Sequence, residues 1–127
     1  MDSIHQEMTI DAAQNRVHAA LTDAREFAAW TGAPATIDPI PGGAFSCFGG
    51  MIEGRVLESS PQRIVQAWRV ANWPAGRYSI VTFAILGEGA STRLILDHAA
   101  FPDEERAHLE GGWGKMYLEP LKRHLQT

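Results

Sequence analysis

The sequence predicts an α+β fold: a curved antiparallel sheet of about six to seven strands wrapped around a long C-terminal helix, with two short helices after the first strand. Three observations predict it. From Ala35 to Phe101, short runs rich in β-branched and aromatic residues follow one another with brief Gly- and Pro-containing turns between them, the pattern of an antiparallel meander. The closing stretch, EGGWGKMYLEPLKRHLQT, carries an apolar stripe at helical spacing. An antiparallel sheet buries one face under a cover, and this stretch is the element long enough to supply one.

Taken in order, SIHQEMTI alternates imperfectly and reads as the first strand, with Ile4, Met8 and Ile10 available for a core. Asp11 stands where a helix N-cap belongs, since a carboxylate there can accept from free N–H groups of the next turn. Val17, Ala20 and Leu21 recur behind it at helical spacing. Asp23 is placed to cap a second short helix, AREFAAW, which puts Phe27 and Trp30 on neighbouring faces and ends at Gly32 and Pro34. The strands expected next are ATIDPI, AFSCF, MIEGRVLES, RIVQAWRV, RYSIVTFAIL and STRLILDHAAF. PGG, Gly49 with Gly50, SPQ, NWPAG and GEGA mark the turns.

The last helix should begin near Asp103, where Asp103, Glu104 and Glu105 meet the positive end of the helix dipole. Leu109, Trp113, Met116, Tyr117, Pro120, Leu121 and Leu125 form its stripe. Gly111, Gly112, Gly114 and Pro120 oppose it, at about 1 kcal/mol for each interior glycine and about 3 for a proline. Burial of each large side chain returns about 1.5–3 kcal/mol, so the stripe wins. The expected use of the breakers is geometric. The glycines would let the backbone approach a curved sheet closely, and Pro120 would free the carbonyl of Met116 and bend the helix. The alternative is a helix that starts after the glycines, near Trp113.

The 127 residues suit a single domain, 1–127. Hydrophobic residues make up 45% and charged residues 20%, ordinary for a folded globular chain. The net charge of −4 and the absence of a basic block exclude nucleic acid as an expected partner. No apolar run approaches the roughly 20 residues of a membrane span. MDSIHQEMTI is polar and acidic, so no signal peptide is expected. The single cysteine, Cys47, cannot form an internal disulfide. These features together predict the cytoplasm. The five histidines lie on different elements with no HExxH or CxxC spacing, so neither a metal nor any other cofactor is expected.

The PGGAF turn, the strand GRVLESSP, the strand IVQAWR followed by NWPAG, and the terminal GW with an apolar helix behind it are together quite specific. In this order and spacing the chain resembles the family named after the activator of the heat-shock protein 90 ATPase, within the START-like or SRPBCC superfamily. The resemblance runs over nearly the whole chain and is especially close, at APAT, WPAG and GWGKMY, to the C-terminal domain of the eukaryotic activator. It implies the helix-grip fold already read from pattern. It implies a cavity between sheet and helix, which the superfamily uses for lipids, sterols and polyketides and sometimes for cyclisation or dehydration. It also implies a chaperone partner, although the activator's separate N-terminal domain, its main grip on the chaperone, is not expected in 127 residues.

The leading expectation is a protein that binds an apolar small molecule, lipid-like or aromatic, in that cavity. Trp30, Phe45, Trp68, Phe83, Trp113 and Met116 would supply the apolar wall, and His98 and Tyr117 the polar contacts. His98 shares a strand face with Leu94 and Leu96 and points away from Asp97, so these two cannot form a dyad. It is a general base if it faces a cavity, and a satisfied structural histidine otherwise. Gln66 shares a face with Trp68 and is a pocket feature only if buried. Trp73 either forms part of an interaction surface or folds back over the core. Cys47 reads as a small buried hydrophobe. Glu53 and Arg55 share a face and read as a surface ion pair. The second expectation is a chaperone-associated or stress-related interaction protein, with a filled core and an exposed apolar patch. The third is a cyclase or dehydratase, although no catalytic constellation is present. An open sheet edge would allow a homodimer.

Overall fold

The structure, a computed structural model, describes residues 3–126. Met1, Asp2 and Thr127, which the single-domain expectation includes, lie outside the described residues. Strand β1 (Ser3–Ile10) leads into helices α1 (Gln14–Thr22) and α2 (Ala24–Thr31). Strands β2 (Thr36–Ile37), β3 (Ala44–Cys47), β4 (Ile52–Ser60), β5 (Arg63–Val70), β6 (Ser79–Glu88) and β7 (Ser91–Ala99) come next. The seven strands make one antiparallel sheet in the order β1-β7-β6-β5-β4-β3-β2, so the first strand closes against the last. A register shift between Val56 and Glu58 bulges β4, and a bulge of this kind adds twist and bend.

Alternation decides which face is buried. Ile64, Gln66 and Trp68 of β5, Val81, Phe83 and Ile85 of β6, and Leu94, Leu96 and His98 of β7 all point inward. The C-terminal helix lies over this face. It starts as a 3-10 turn (Asp103–Glu105), runs through α3 (Arg106–Gly112), widens into a π segment (Trp113–Leu118) and ends in α4 (Glu119–Leu125). The expected fold, a curved antiparallel sheet around a long C-terminal helix, is the observed one.

Several local expectations are corrected. Asp11 does not cap α1: that helix starts at Gln14 behind Ala13, which makes no side-chain cap, and the Asp11 N–H instead donates to Gln126 Oε1 at 2.9 Å. Asp23 does cap α2, accepting from the N–H groups of Arg25 and Glu26, and Gly32 ends α2 in the left-handed region at φ 74°. ATIDPI keeps only Thr36 and Ile37 as strand. In AFSCF, Phe48 leaves the strand and sits at φ 54°.

The glycines of the last helix do not serve close approach. A Cβ added to Gly111, Gly112 or Gly114 would meet nothing within 4 Å. Nor does the helix begin after them, since α3 runs through Gly112. The close approach lies elsewhere, at Gly54 in β4, where a Cβ would come within 1.8 Å of the Ala67 carbonyl and 2.8 Å of the Phe45 ring.

The π segment is the device that periodicity missed. Its last bond runs from the Glu119 N–H to the Gly114 carbonyl, five residues back, and Pro120 stands in the first turn of α4, where a missing N–H is tolerated. The extra residue in the turn rotates the remainder of the helix about its axis. Trp113, Tyr117 and Leu118 are buried together, while Met116, expected in the buried stripe, is 44% exposed.

Candidate functional site: an apolar groove beside a closed histidine node

Under the π segment the space between sheet and helix is filled by rings. Tyr117 is the hub: its ring lies 4.5 Å from Trp113, 5.4 Å from Phe48, 5.6 Å from Trp30, 5.7 Å from Phe27 and 6.2 Å from Phe83. Burial raises the Tyr117 pKa, as does the Cys47 thiol at 3.8 Å, and the Trp68 indole opposes them. The Tyr117 phenol is therefore protonated. Cys47 is the small buried residue expected from sequence, its pKa pushed up to about 12 by burial, and a thiol so held is a poor nucleophile.

Behind Trp68 and Trp113 lies a fully buried polar node. The Trp113 indole N–H donates to His98 Nδ1 at 3.0 Å. Nδ1 therefore carries no proton, and His98 Nε2 donates to Ser79 Oγ at 2.8 Å. Ser79 in turn donates to the Trp68 carbonyl at 2.8 Å. Each step is used once, in one direction. Burial pushes the His98 pKa down to about 4, which keeps the ring neutral. Its only unprotonated nitrogen is taken by an N–H that cannot leave, so the node ties helix to sheet and offers no base to a substrate.

Next to this node, sheet and helix part. A groove of about 90 Å³ opens between Ile52, Trp68 and Val70 on the sheet side and Leu109, Gly112, Trp113, Met116 and Tyr117 on the helix side. Phe48 and Met51, between β3 and β4, and His108 of α3 also line it. None of these residues is Asp, Glu, Lys or Arg. Met51 is 56% exposed and Met116 44%, so two flexible thioethers form the rim. Pockets for drug-sized molecules run to roughly 300–1,000 Å³, so this groove takes something much smaller than a lipid.

The inner face of β5 carries a second feature. Trp68 is 2% exposed and Gln66 9%; among the described residues Gln66 Oε1 finds no hydrogen-bond partner, and Trp68 Nε1 finds none of ordinary geometry, although the Trp68 indole acts on the Tyr117 phenol beside it. Other buried polar groups do find one: the Thr92 hydroxyl, for example, donates to the Ala12 carbonyl at 2.7 Å.

Of the eight residues singled out from sequence, the fold brings Trp68, Trp113, Met116 and Tyr117 around the groove. Phe83 stacks on Tyr117 and Trp30 meets it edge-on, His98 belongs to the node, and Phe45 lies apart over Gly54. Trp73 folds back: it is 6% exposed, packs on Trp68 at 5.9 Å and donates to Glu105 at 3.2 Å. Its loop is held by Arg69, which donates to the carbonyls of Trp73, Pro74 and Arg77 and pairs with Glu53. Glu53 thus pairs across strands and not with Arg55, which donates to the Gly42 carbonyl at 3.1 Å. Phe48, Met51 and His108 were missed. The non-glycine left-handed residue at Phe48 is the one signal that marks the groove, and it is a property of the backbone.

Among the described residues no cluster of three His, Cys, Asp or Glu could hold a metal, and no helix is long and apolar enough to cross a membrane. The family model described as "Activator of Hsp90 ATPase homolog 1-like protein" matches residues 11–126. The uncharacterized protein C1711.08 of Schizosaccharomyces pombe is 36% identical over 121 residues, 94% of this chain and 36% of that protein. The human activator of 90 kDa heat shock protein ATPase homolog 1 is 30% identical over 96 residues, 75% of this chain and 28% of that protein. The chain thus spans about a third of the length of these relatives. The crystal structure of PFC0360w, described as an HSP90 activator from Plasmodium falciparum, superposes with a TM-score of 0.91 at 26% identity, over 95% of this chain and 94% of that one. The seven-stranded sheet, the long C-terminal helix and these matches agree: the chain belongs to the family of proteins like the activator of the Hsp90 ATPase.

Proposed function

We propose that this chain is a partner-binding module of the 90-kDa heat-shock protein chaperone system, working in the cytoplasm and docking an apolar segment of its partner in the groove. The observation that carries this reading is the shape of the site. The core under the helix is filled by rings, and what remains is a groove of about 90 Å³ with an exposed methionine rim. A filled core with an exposed apolar patch suits contact with a protein better than enclosure of a lipid. Named activators among the relatives point the same way, and their activity comes to this chain only as part of this proposal. A role in stress follows from the same partnership.

The test is the ATPase rate of a 90-kDa heat-shock protein homologue with saturating amounts of this chain. Stimulation that drops when Met116→Lys places a charge on the rim supports the proposal. No stimulation and no complex in sedimentation would sink it. The same sedimentation run, on the chain alone, tests a homodimer through the open edges β1 and β2.

A second reading, small-molecule binding in the groove, is favoured by one observation: its lining is aromatic and aliphatic, with no Asp, Glu, Lys or Arg. Catalysis of the cyclase or dehydratase type draws no support from His98, whose free nitrogen is occupied.

A further inference from the structure

Two thioether side chains flank the groove. Met51 stands in the turn between β3 and β4 and Met116 in the π segment of the helix, and both line the groove and are exposed. The remaining described methionine, Met8, is half-buried in β1 and packs on the core. The oxidisable side chains in solvent therefore meet at one place, the docking rim.

Access decides which sulfur a peroxide reaches. The thiol competes poorly. Cys47 is buried and its pKa is pushed up to about 12, so almost no thiolate is present to react. At an exposed methionine, a sulfur lone pair attacks one oxygen of hydrogen peroxide. The S–O bond forms as the O–O bond breaks. The second oxygen takes the proton of the first and leaves as water, so the sulfur is oxidised by two electrons and the peroxide reduced. Two thiols reverse the step: they supply two electrons and two protons, end as a disulfide, and release the oxygen as water.

The product fits an apolar contact badly. A sulfoxide oxygen is a strong acceptor that needs a donor or water. The Trp113 indole N–H is committed to His98, and the polar atoms of Trp68 and Tyr117 are buried with each other and Cys47. Of the lining side chains, that leaves the exposed His108 imidazole as a donor. An apolar group docking on an oxidised rim would strip water from two sulfoxides with one imidazole to replace it.

We propose that Met51 and Met116 are reversible oxidation sites for hydrogen peroxide, and that their conversion to sulfoxide shuts off apolar docking at the groove. This rests on the reading of the groove as a docking site and adds its regulation.

The full chain is treated with hydrogen peroxide, the peroxide is removed, and the added oxygen is mapped by peptide mass spectrometry. Met51 and Met116 should convert well before Met8, with Cys47 unchanged. Two readouts follow the groove before and after treatment: toluene binding in nuclear magnetic resonance, and the amount of chain that half-maximally stimulates the chaperone ATPase. Each readout present before treatment should weaken about tenfold, the effect of burying a polar group without a partner. The two methionine sulfoxide reductases, one for each epimer, should restore it with dithiothreitol. Met51→Leu combined with Met116→Leu keeps an apolar rim without sulfur, and peroxide should leave that chain at its own starting value. The mapped wild-type chain and its rescue by the reductases decide the question even if the variant folds poorly.

Conversion of Met51 and Met116 no faster than Met8 would overturn the inference. A readout that survives full conversion of both would overturn it while leaving the docking groove intact. An equal loss in the leucine variant would assign the effect to another residue, and a collapsed urea midpoint would assign it to unfolding; either result overturns it. If the untreated chain neither binds toluene nor stimulates the ATPase, the inference and the docking reading fall together.

Discussion

Two adjoining parts of the same interface, the histidine node and the groove, share the residue Trp113 and differ in how their polar atoms are spent. In the node, the Trp113 N–H, both nitrogens of His98, the Ser79 hydroxyl and the Trp68 carbonyl are joined in one direction. The groove has no such network: its lining is aromatic and aliphatic and its rim is two exposed methionines. The most reactive residue type in a buried site therefore need not be the functional one. His98 is held inert by complete pairing, and the exposed part of the interface is an apolar edge with a methionine rim.

The contrast is tested most severely at the shared residue. Trp113→Ala removes the donor to His98 and the ring contacts with Trp68, Phe83 and Tyr117, and should cost about 3–5 kcal/mol in urea-induced unfolding. A loss below about 1 kcal/mol would mean that the node does not tie helix to sheet.

Acid comes next. His98 is neutral in the fold with its pKa down at about 4, against about 6.5 in the unfolded chain. The unfolded chain binds the extra proton first, so stability from this residue is complete above about pH 6.5 and is lost as the pH falls toward 4, by about 3 kcal/mol. The exposed His5 has the opposite sign: hydrogen bonds to Glu7 and Asp97 raise its pKa, so its contribution is present below 6.5 and lost as pH rises through its folded value. Subtracting the pH profile of His98→Phe from that of wild type cancels His5 and isolates the node. Equal slopes for the two proteins between pH 6.5 and 4 would show that His98 titrates freely.

The glycines carry the contrast to a smaller scale. Gly111 lies inside α3 with nothing within 4 Å of an added Cβ. Gly111→Ala should therefore raise stability by about 0.5–1 kcal/mol by thermal unfolding. A decrease would restore the close-approach role that the structure denies. Smallest for stability is Met116→Lys at the rim, expected to change unfolding by no more than about 0.5 kcal/mol while weakening partner capture. A large stability loss there would make the rim part of the core.

Much of this was legible in the chain. Period-two alternation in RIVQAWRV and STRLILDHA showed that Gln66 and Trp68 share one face of their strand and Leu94, Leu96 and His98 one face of theirs, because a strand has only two faces; that both faces are buried is a property of the packed sheet. Asp23 and Gly32 announced the ends of α2 because their chemistry is local. Asp11 misled for the complementary reason: its carboxylate would have served as a cap, and its place was decided by Gln126, 115 residues away in the chain.

Residue pattern alone was thus enough for the sheet, the covering helix and the family, since each follows from a few neighbouring residues or from their order. Packing in three dimensions settled the rest: the last helix widens at Trp113–Leu118, Met116 turns out while Leu118 turns in, Phe48 adopts a left-handed backbone, and His98 is paired on both sides. Periodicity assumes a constant turn and says nothing about partners. The width of a turn and the mate of a buried donor are set where the helix meets the sheet, by the space that remains once both are packed.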